Sequence, residues 1–434
     1  MKNIKAYKWL AVTFLLSVSV FCYLYLTKLP SKTSPDSGEK TVSSASDTER
    51  DKPEEQPVSY NELPRPAYEE NDFIVQNTGG TGDDVLKNVH TLNGYSYLFF
   101  DTNSNGSDVR TERPSVAVAM TDANAQLIKT SAFTSGSSES YLHSKIIADG
   151  FALLTGSSDY SALYKINRDL VNTAKIVFDC VSDGKTYLCD SGNLAVMLFS
   201  ESAFTIKLVS PDFVVIKSSS VYLSKPESVN VFPRGDLLDV FINSDKGYSR
   251  LTYSEKAGFI SEESVPDKKL VDIMPVTGGF AGVEKDGATQ SIFVSDYRFE
   301  KTAQKEIPLS DFSVLLPGDN NFTLISGKDG KTSSSVYCLH LDEMFANEQE
   351  TGISAIINRV GEYLITYFDG KIGVVGFNAQ KMKTVATFSA TNSFATLTRD
   401  GYLCFSSNRK GGIYKNGFGS TDVYAVKISD LATV

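Results

Sequence analysis

The sequence holds few of the residues that most enzyme chemistries depend on. Its 434 residues include three histidines, one tryptophan and five cysteines. His90, His143 and His340 stand far apart and no two cysteines show C-x-x-C spacing, so neither a histidine-based metal site nor a zinc ribbon is indicated. G-x-S-x-G is missing too, which leaves no serine nominated as a nucleophile. The stretch GKDGKTS, residues 327–333, supplies Gly330, Lys331 and Thr332 of a phosphate-binding loop. Ile325 fills the place of that loop's first glycine, and a hairpin turn is the expectation. Basic charge is in deficit: 42 lysines and arginines against 52 acids leave a net charge of −10 with no basic stripe, which excludes a nucleic-acid surface. The acids are scattered over turns with no pair placed as general acid and base, so a binder is the expectation ahead of an enzyme.

Long apolar runs are scarce as well, with one exception. Residues 9–27 are uncharged and apolar, and at about 1.5 Å per residue they reach roughly 28 Å, the thickness of a hydrocarbon core. No small-x-small cleavage site follows, so residues 9–29 are expected to be an uncleaved transmembrane signal anchor. Lys2, Lys5 and Lys8 hold residues 1–8 in the cytoplasm, which makes the chain a single-pass protein of the cell membrane with its C-terminal part extracytoplasmic. Residues 30–72 are acidic and rich in proline and serine, with too little apolar surface to offset chain entropy; they read as a disordered stalk. Folded sequence begins at residue 73 and runs to 434. Within it Cys180 and Cys189 flank VSDGKTYL, where either a cross-strand disulfide or two buried thiols fit.

From residue 73 onward one unit recurs: a short apolar segment, a turn with glycine or asparagine, then an aliphatic or aromatic strand. VHTLNGYSYLFF, IIADGFALLTG, INRVGEYLITYF and ATLTRDGYLCFSS are examples. The turn residues read off this pattern are Gly94, Gly150, Gly184, Gly235, Gly279, Asn321, Gly361 and Gly401, each suited to the positive φ of a hairpin. A second pair of strand-like runs follows each hairpin. Four strands per 40 or so residues is the period of a propeller blade, which cannot bury its own faces without neighbours. The fold class is therefore all-β, a single eight-bladed β-propeller, with seven blades the alternative because the early spacings are uneven.

Two stretches carry a resemblance. In TRDGYLCFSSNRKGGIYKNGFGSTDVYAVKI, residues 398–428, Asp400, Gly401, Leu403, Phe405, Ser407, Asn408, Arg409, Asp422 and Tyr424 follow the WD-like propeller repeat of bacterial cell-envelope proteins, with Arg399 where proline is usual. GGTGDDVLKNVHTLNGYSYLFFDTNSNG, residues 79–106, is similar to a second bacterial surface propeller repeat through Gly79, Gly80, Gly82, Asp83, Asp84, Gly94, Tyr95, Thr102 and Ser104. The resemblance implies the propeller fold and an envelope setting; it covers too little of the chain to carry a function.

DTNSNGSDVRTE, residues 101–112, spells a calcium loop through Asp101, Asn103, Asn105, Gly106 and Glu112. The flanks YSYLFF and PSVAVAM are strand-like rather than helical, which favours a polar connection between strands; as a calcium site it would be weak, with few charged ligands. No other cofactor is indicated. The expected function is binding or scaffolding toward a protein, peptide or cell-wall glycan, the alternatives being a propeller-type polysaccharide hydrolase or lyase and an envelope sensor or assembly factor.

Overall fold

The computed structural model describes residues 75–428, apart from 107–108, 112, 135–136, 180, 182, 224–225, 362, 369–370, 379–380, 391–393 and 410–419. The anchor and stalk, residues 1–8, 9–29 and 30–72, lie outside the described residues. So does Cys180, while Cys189 and Cys404 are buried free thiols.

Among the described residues eight four-stranded antiparallel sheets follow one another, seven of them up-and-down meanders apart from a hairpin inserted in the first. Blade one runs from Asp84 to Phe133, blade two from Ser140 to Asp179, and blade three from Asp183 to Tyr222. Blade four spans Pro226 to Pro266, blade five Lys269 to Ile307, blade six Phe312 to Glu350, and blade seven Ala355 to Ser389. The eighth blade is made from both ends of the domain: Val75–Thr78 pairs antiparallel with Asp422–Lys427, which pairs in turn with Tyr402–Ser407.

The middle strands FALLTG and LAVMLF read as continuous apolar runs because both faces of each sheet are covered. In blade two Phe151 and Leu153 pack toward blade one while Ala152 and Leu154 pack toward blade three. Eight such apolar clusters fill the eight seams between neighbouring blades. The core is thus a ring of interfaces, so stability depends on closing the ring.

The uneven early spacing has two local causes. Gly184 sits within the strand Asp183–Leu188, and the first hairpin of blade three turns instead at Gly192, φ 84°. With Gly192 in its place, the steps from Gly150 to Gly192 and on to Gly235 become 42 and 43 residues. The long first step reflects an insertion in blade one, where Asn105–Gly106 and Val109–Arg110 form a separate two-stranded hairpin.

A sharper repeat lies in the last hairpin of five blades. Ala125, Leu170, Phe213, Phe299 and Leu341 all adopt positive φ, between 57° and 65°, while in blade four the left-handed residue is Gly258, one place later. A bulky residue in the left-handed region is rare, and here it recurs because the turn is over-determined. Three residues earlier stands Asp122, Asn167, Ser210, Asp296 or Cys338, whose carbonyl accepts the left-handed residue's N–H. Asp122 Oδ1, Asn167 Oδ1 and Asp296 Oδ1 also each accept two further backbone N–H groups of the turn. The strain is offset by burial of the side chain, with Leu170 at 2% and Leu341 at 5% exposure.

GKDGKTS is a two-residue hairpin: Asp329 and Gly330 both have positive φ, and Lys328 pairs with Lys331.

Candidate functional site

The first strands of successive blades adjoin around the ring axis. In five of them a β-bulge precedes a polar residue: Asn88, His143, Ser228, Asp272 and Asn358. The bulge re-aims that side chain toward the next blade. Asn88 Nδ2 donates to Ser144 Oγ at 3.2 Å, His143 Nδ1 lies 2.9 Å from Thr186 Oγ1, and Asp272 Oδ2 accepts Leu315 N–H at 2.7 Å. Asn358 Nδ2 reaches Ala395 O at 3.3 Å. Ser228 Oγ accepts from Asn243 Nδ2, and Asn243 is bonded to both the N–H and the carbonyl of Leu270 in blade five. Lys185 Nζ bonds Val229 O, and Ser406 Oγ accepts Leu86 N–H at 2.7 Å to complete the closure seam. A belt of polar links therefore sews most seams near the axis.

His90 and Ser144, 2.9 Å apart through Nε2 and Oγ, have the spacing of a base and a nucleophile, but the surroundings are wrong for that chemistry. Ser144 is 1% exposed and also bonds Tyr141 Oη and Asn88. Burial lowers His90 to about 4 and, with Lys185 adding repulsion, lowers His143 to about 3, while the Tyr141 phenol is pushed up to about 12. These groups are neutral at pH 7 and serve as hydrogen-bonding links.

A pH dependence follows. Both histidines have folded pKa values below the unfolded value of about 6.5, so the unfolded chain takes up protons that the folded ring refuses. Their effect on stability is absent above about pH 6.5 and destabilises the fold as pH drops toward 4, by at most about 1.4 kcal/mol per pH unit for each. His143→Gln is expected to flatten the fall in urea midpoint between pH 6.5 and 4.5 by one such share; an unchanged slope would remove His143 from the account.

The sequence motif GGTGDD ties the ring shut. Asp84, fully buried, accepts from Gly80 N–H and Ser104 Oγ through Oδ2, both at 2.8 Å, and its own N–H bonds Thr421 O. Burial, the largest influence, raises its pKa. A Cβ on Gly79 would lie 2.7 Å from both Asp84 Oδ2 and Asp422 Oδ1, which is why glycine stands there.

In the loop 101–112, Asp101 Oδ1 accepts Tyr141 N–H at 2.6 Å and Oδ2 pairs with Lys87 Nζ at 3.2 Å. Asn103 Oδ1 accepts Asp83 N–H at 2.6 Å; Asn105 lies in the inserted hairpin, and Glu112 lies outside the described residues. Among the described residues no group of three or more His, Cys, Asp or Glu side chains is placed to hold a metal ion.

An open cavity lies elsewhere, between blades five and six, with a volume of about 760 Å³. The strand Lys331–Cys338, KTSSSVYC, explains it. Its alternate residues Lys331, Ser333, Ser335 and Tyr337 line the cleft, and Ser335 stands where blade five's third strand has the buried Phe293. The seam closes over Leu324 and Tyr337 near the axis and gapes outside them. Ion pairs Lys305–Glu343 and Lys331–Glu348 stand on this outer part. Such a wedge accommodates an extended polar chain, with hydroxyl and amide groups along its walls and charges at its rim. Neither the histidines nor the calcium-like loop pointed there; the unbroken run TSSS inside the strand KTSSSVYC was the available signal.

No family model matches the chain, and no curated protein matches it in sequence. The fold has solved counterparts. It is similar to the Dos1 propeller, at 11% identity and a TM-score of 0.53, over 82% of this chain and 96% of that one. It also overlaps the dihydro-heme d1 dehydrogenase NirN solved in complex with DHE, at 14% identity and a TM-score of 0.49, covering 87% of this chain and 76% of that one. The WD40 domain of Toxoplasma gondii coronin, at 10% identity and a TM-score of 0.47, covers 86% and 90%. At these identities the likeness concerns the fold alone.

Proposed function

We propose that the protein is a membrane-anchored, extracytoplasmic propeller of the bacterial envelope type that binds or scaffolds a partner, and that the cleft between blades five and six seats a segment of protein, peptide or cell-wall glycan. The cleft carries this reading, because it is a large open cavity walled by Ser326, Ser333, Ser335 and Asn347. Neutral hydroxyls and an amide suit hydrogen bonding to a polar polymer, with a few convergent polar groups fixing its orientation. The polysaccharide hydrolase or lyase reading needs accessible carboxylates or histidines converging at one end of the channel. His90 and His143 instead converge as half-buried, neutral links. Calcium at the 101–112 loop would have to displace Lys87 and Tyr141 N–H from Asp101, and is kept as a proposal to be checked by running the binding assay with calcium and with EGTA.

The test is retention of the detergent-solubilised full chain on sacculus fragments and on immobilised envelope proteins, with Ser333→Trp and Ser335→Trp placed in the cleft. Partner affinity is expected to fall at least about tenfold in both variants, the consequence of losing about 1.4 kcal/mol of contact. Unchanged affinity in two folded variants would move the seat elsewhere on the ring.

A further inference from the structure

The outermost strand of blade three is sparsely charged, as is that of blade one, LIKTSAF, whose one charge is Lys129, and it exposes more apolar surface. Val215–Tyr222, VIKSSSVY, ends its sheet with an unpaired edge, and Val214, Ile216 and Tyr222 are 57%, 54% and 89% exposed. Natural edges of this length are normally guarded by charges. The corresponding strands of blades five and six, KTAQKEI and EMFANEQE, carry three charges each, and that of blade four carries Glu262 and Glu263. On Val215–Tyr222 the single charge is Lys217, and its ammonium is turned back onto the carbonyls of Glu255 and Lys256 at 3.2 and 2.6 Å. An edge with one lysine, no acid and exposed apolar ends is left open on a chain whose net charge is −10.

The order of its residues is self-complementary. Antiparallel pairing with a second copy, about a two-fold axis through Ser219, places Ile216 of each chain opposite Tyr222 of the other, Ser218 opposite Ser220, and Ser219 opposite itself. Residues of equal parity share a sheet face, so the two most exposed apolar side chains of the strand meet on one side of the joined sheet. The lysines fall opposite Val221 rather than opposite each other, so the charge pattern permits the approach in this register. We propose that two copies of this chain associate through this edge, joining two blades into one continuous eight-stranded sheet with an isologous interface.

Sedimentation of the detergent-solubilised full chain tests it, with Tyr222→Glu, Ile216→Lys and the double variant. Two equivalent cross-strand pairs are altered per dimer, so each single variant is expected to weaken dimerisation about tenfold. The double variant creates two Lys–Glu cross-strand pairs and is expected to recover dimerisation at low salt and lose it at high salt. A second arm is Ser219→Cys, expected to yield a disulfide-linked dimer through that residue. Both altered side chains are exposed, so circular dichroism should be unchanged. Three results would overturn the proposal: a monomeric wild-type chain, single variants that dimerise as well as the wild type, and an open-ended series of larger species, which would make the edge an aggregation surface. Capture of another protein's strand with no self-association would overturn it as well.

Discussion

Asp239→Ala is expected to lower the stability of the propeller by about 3–5 kcal/mol, the size of effect seen when one partner of a buried ion pair is removed. Asp239 is fully buried and holds two arginines. Its Oδ1 accepts Arg250 Nη2 at 2.5 Å and Arg250 Nε at 3.1 Å, and its Oδ2 accepts Arg234 Nε at 2.8 Å. Arg250, 1% exposed, also donates to Tyr297 O of blade five at 2.7 Å and stacks over Phe280 and Phe299. With Asp239 gone the Arg250 guanidinium has a half-exposed Glu263 as its remaining carboxylate, 3.3 Å away, in a seam whose core is aromatic and aliphatic. Coulomb attraction that had offset its desolvation disappears, and the cation cannot shed its charge by deprotonation. Urea unfolding followed by circular dichroism reads the effect. Removing both charges by Asp239→Leu with Arg250→Met should restore much of the loss, since an apolar pair of similar volume needs no compensation. A loss below about 1 kcal/mol in Asp239→Ala would show the pair to be worth no more than a surface salt bridge.

The strands and their kind were legible because both blade faces are buried, which forces unbroken apolar runs such as FALLTG between turn residues. The number of blades was legible too, although some markers misled: Gly184 looks like a hairpin glycine, yet it lies in a strand where it makes room for Leu154 and Met197 O, Asn321 opens a strand without positive φ, and the left-handed residue beside Gly279 is Gly278. The steadier marker, Asp122, Asn167 or Asp296 followed three residues later by Ala125, Leu170 or Phe299, was hidden because a left-handed leucine or phenylalanine is not what turn chemistry leads one to seek. The site was legible only in part. Asp101 and Asn103 match a calcium spelling letter by letter, but their hydrogen-bonding partners, Tyr141 N–H and Asp83 N–H, depend on which strands adjoin. The belt depends on bulges that shift His143 and Asp272 by one residue, and a one-residue shift is invisible to a period-two pattern. The cleft is lined by three strands of blade six together with Ile307 and residues 308–310 at the end of blade five, so no single stretch of sequence describes it.

Starting the folded chain at residue 79 rather than 73 is expected to cost about 3 kcal/mol or more, although only Val75–Thr78 is lost from the described structure. That strand contributes no catalytic or cleft residue. It supplies the fourth strand of blade eight, pairing Val75 with Val426, Gln76 with Ala425, Asn77 with Tyr424 and Thr78 with Val423. Roughly 1 kcal/mol for each of about four ladder hydrogen bonds sets the scale, before any loss of packing. The loss is larger in consequence than in size, because it leaves Asp422–Lys427 as an open edge and weakens the seam in which Leu86, Leu98 and Phe100 pack against Tyr402, Val423 and Ala425. A ring held by eight seams has no redundancy at the one seam made from distant parts of the chain. Thermal melts of chains 73–434 and 79–434 make the comparison. A lower, broader transition in 79–434, with faster proteolysis at the C-terminal end than in 73–434, is the expected result. Coincident melting curves would show instead that blade eight closes on three strands, and that the seam between blades eight and one holds without the strand that spans the two ends.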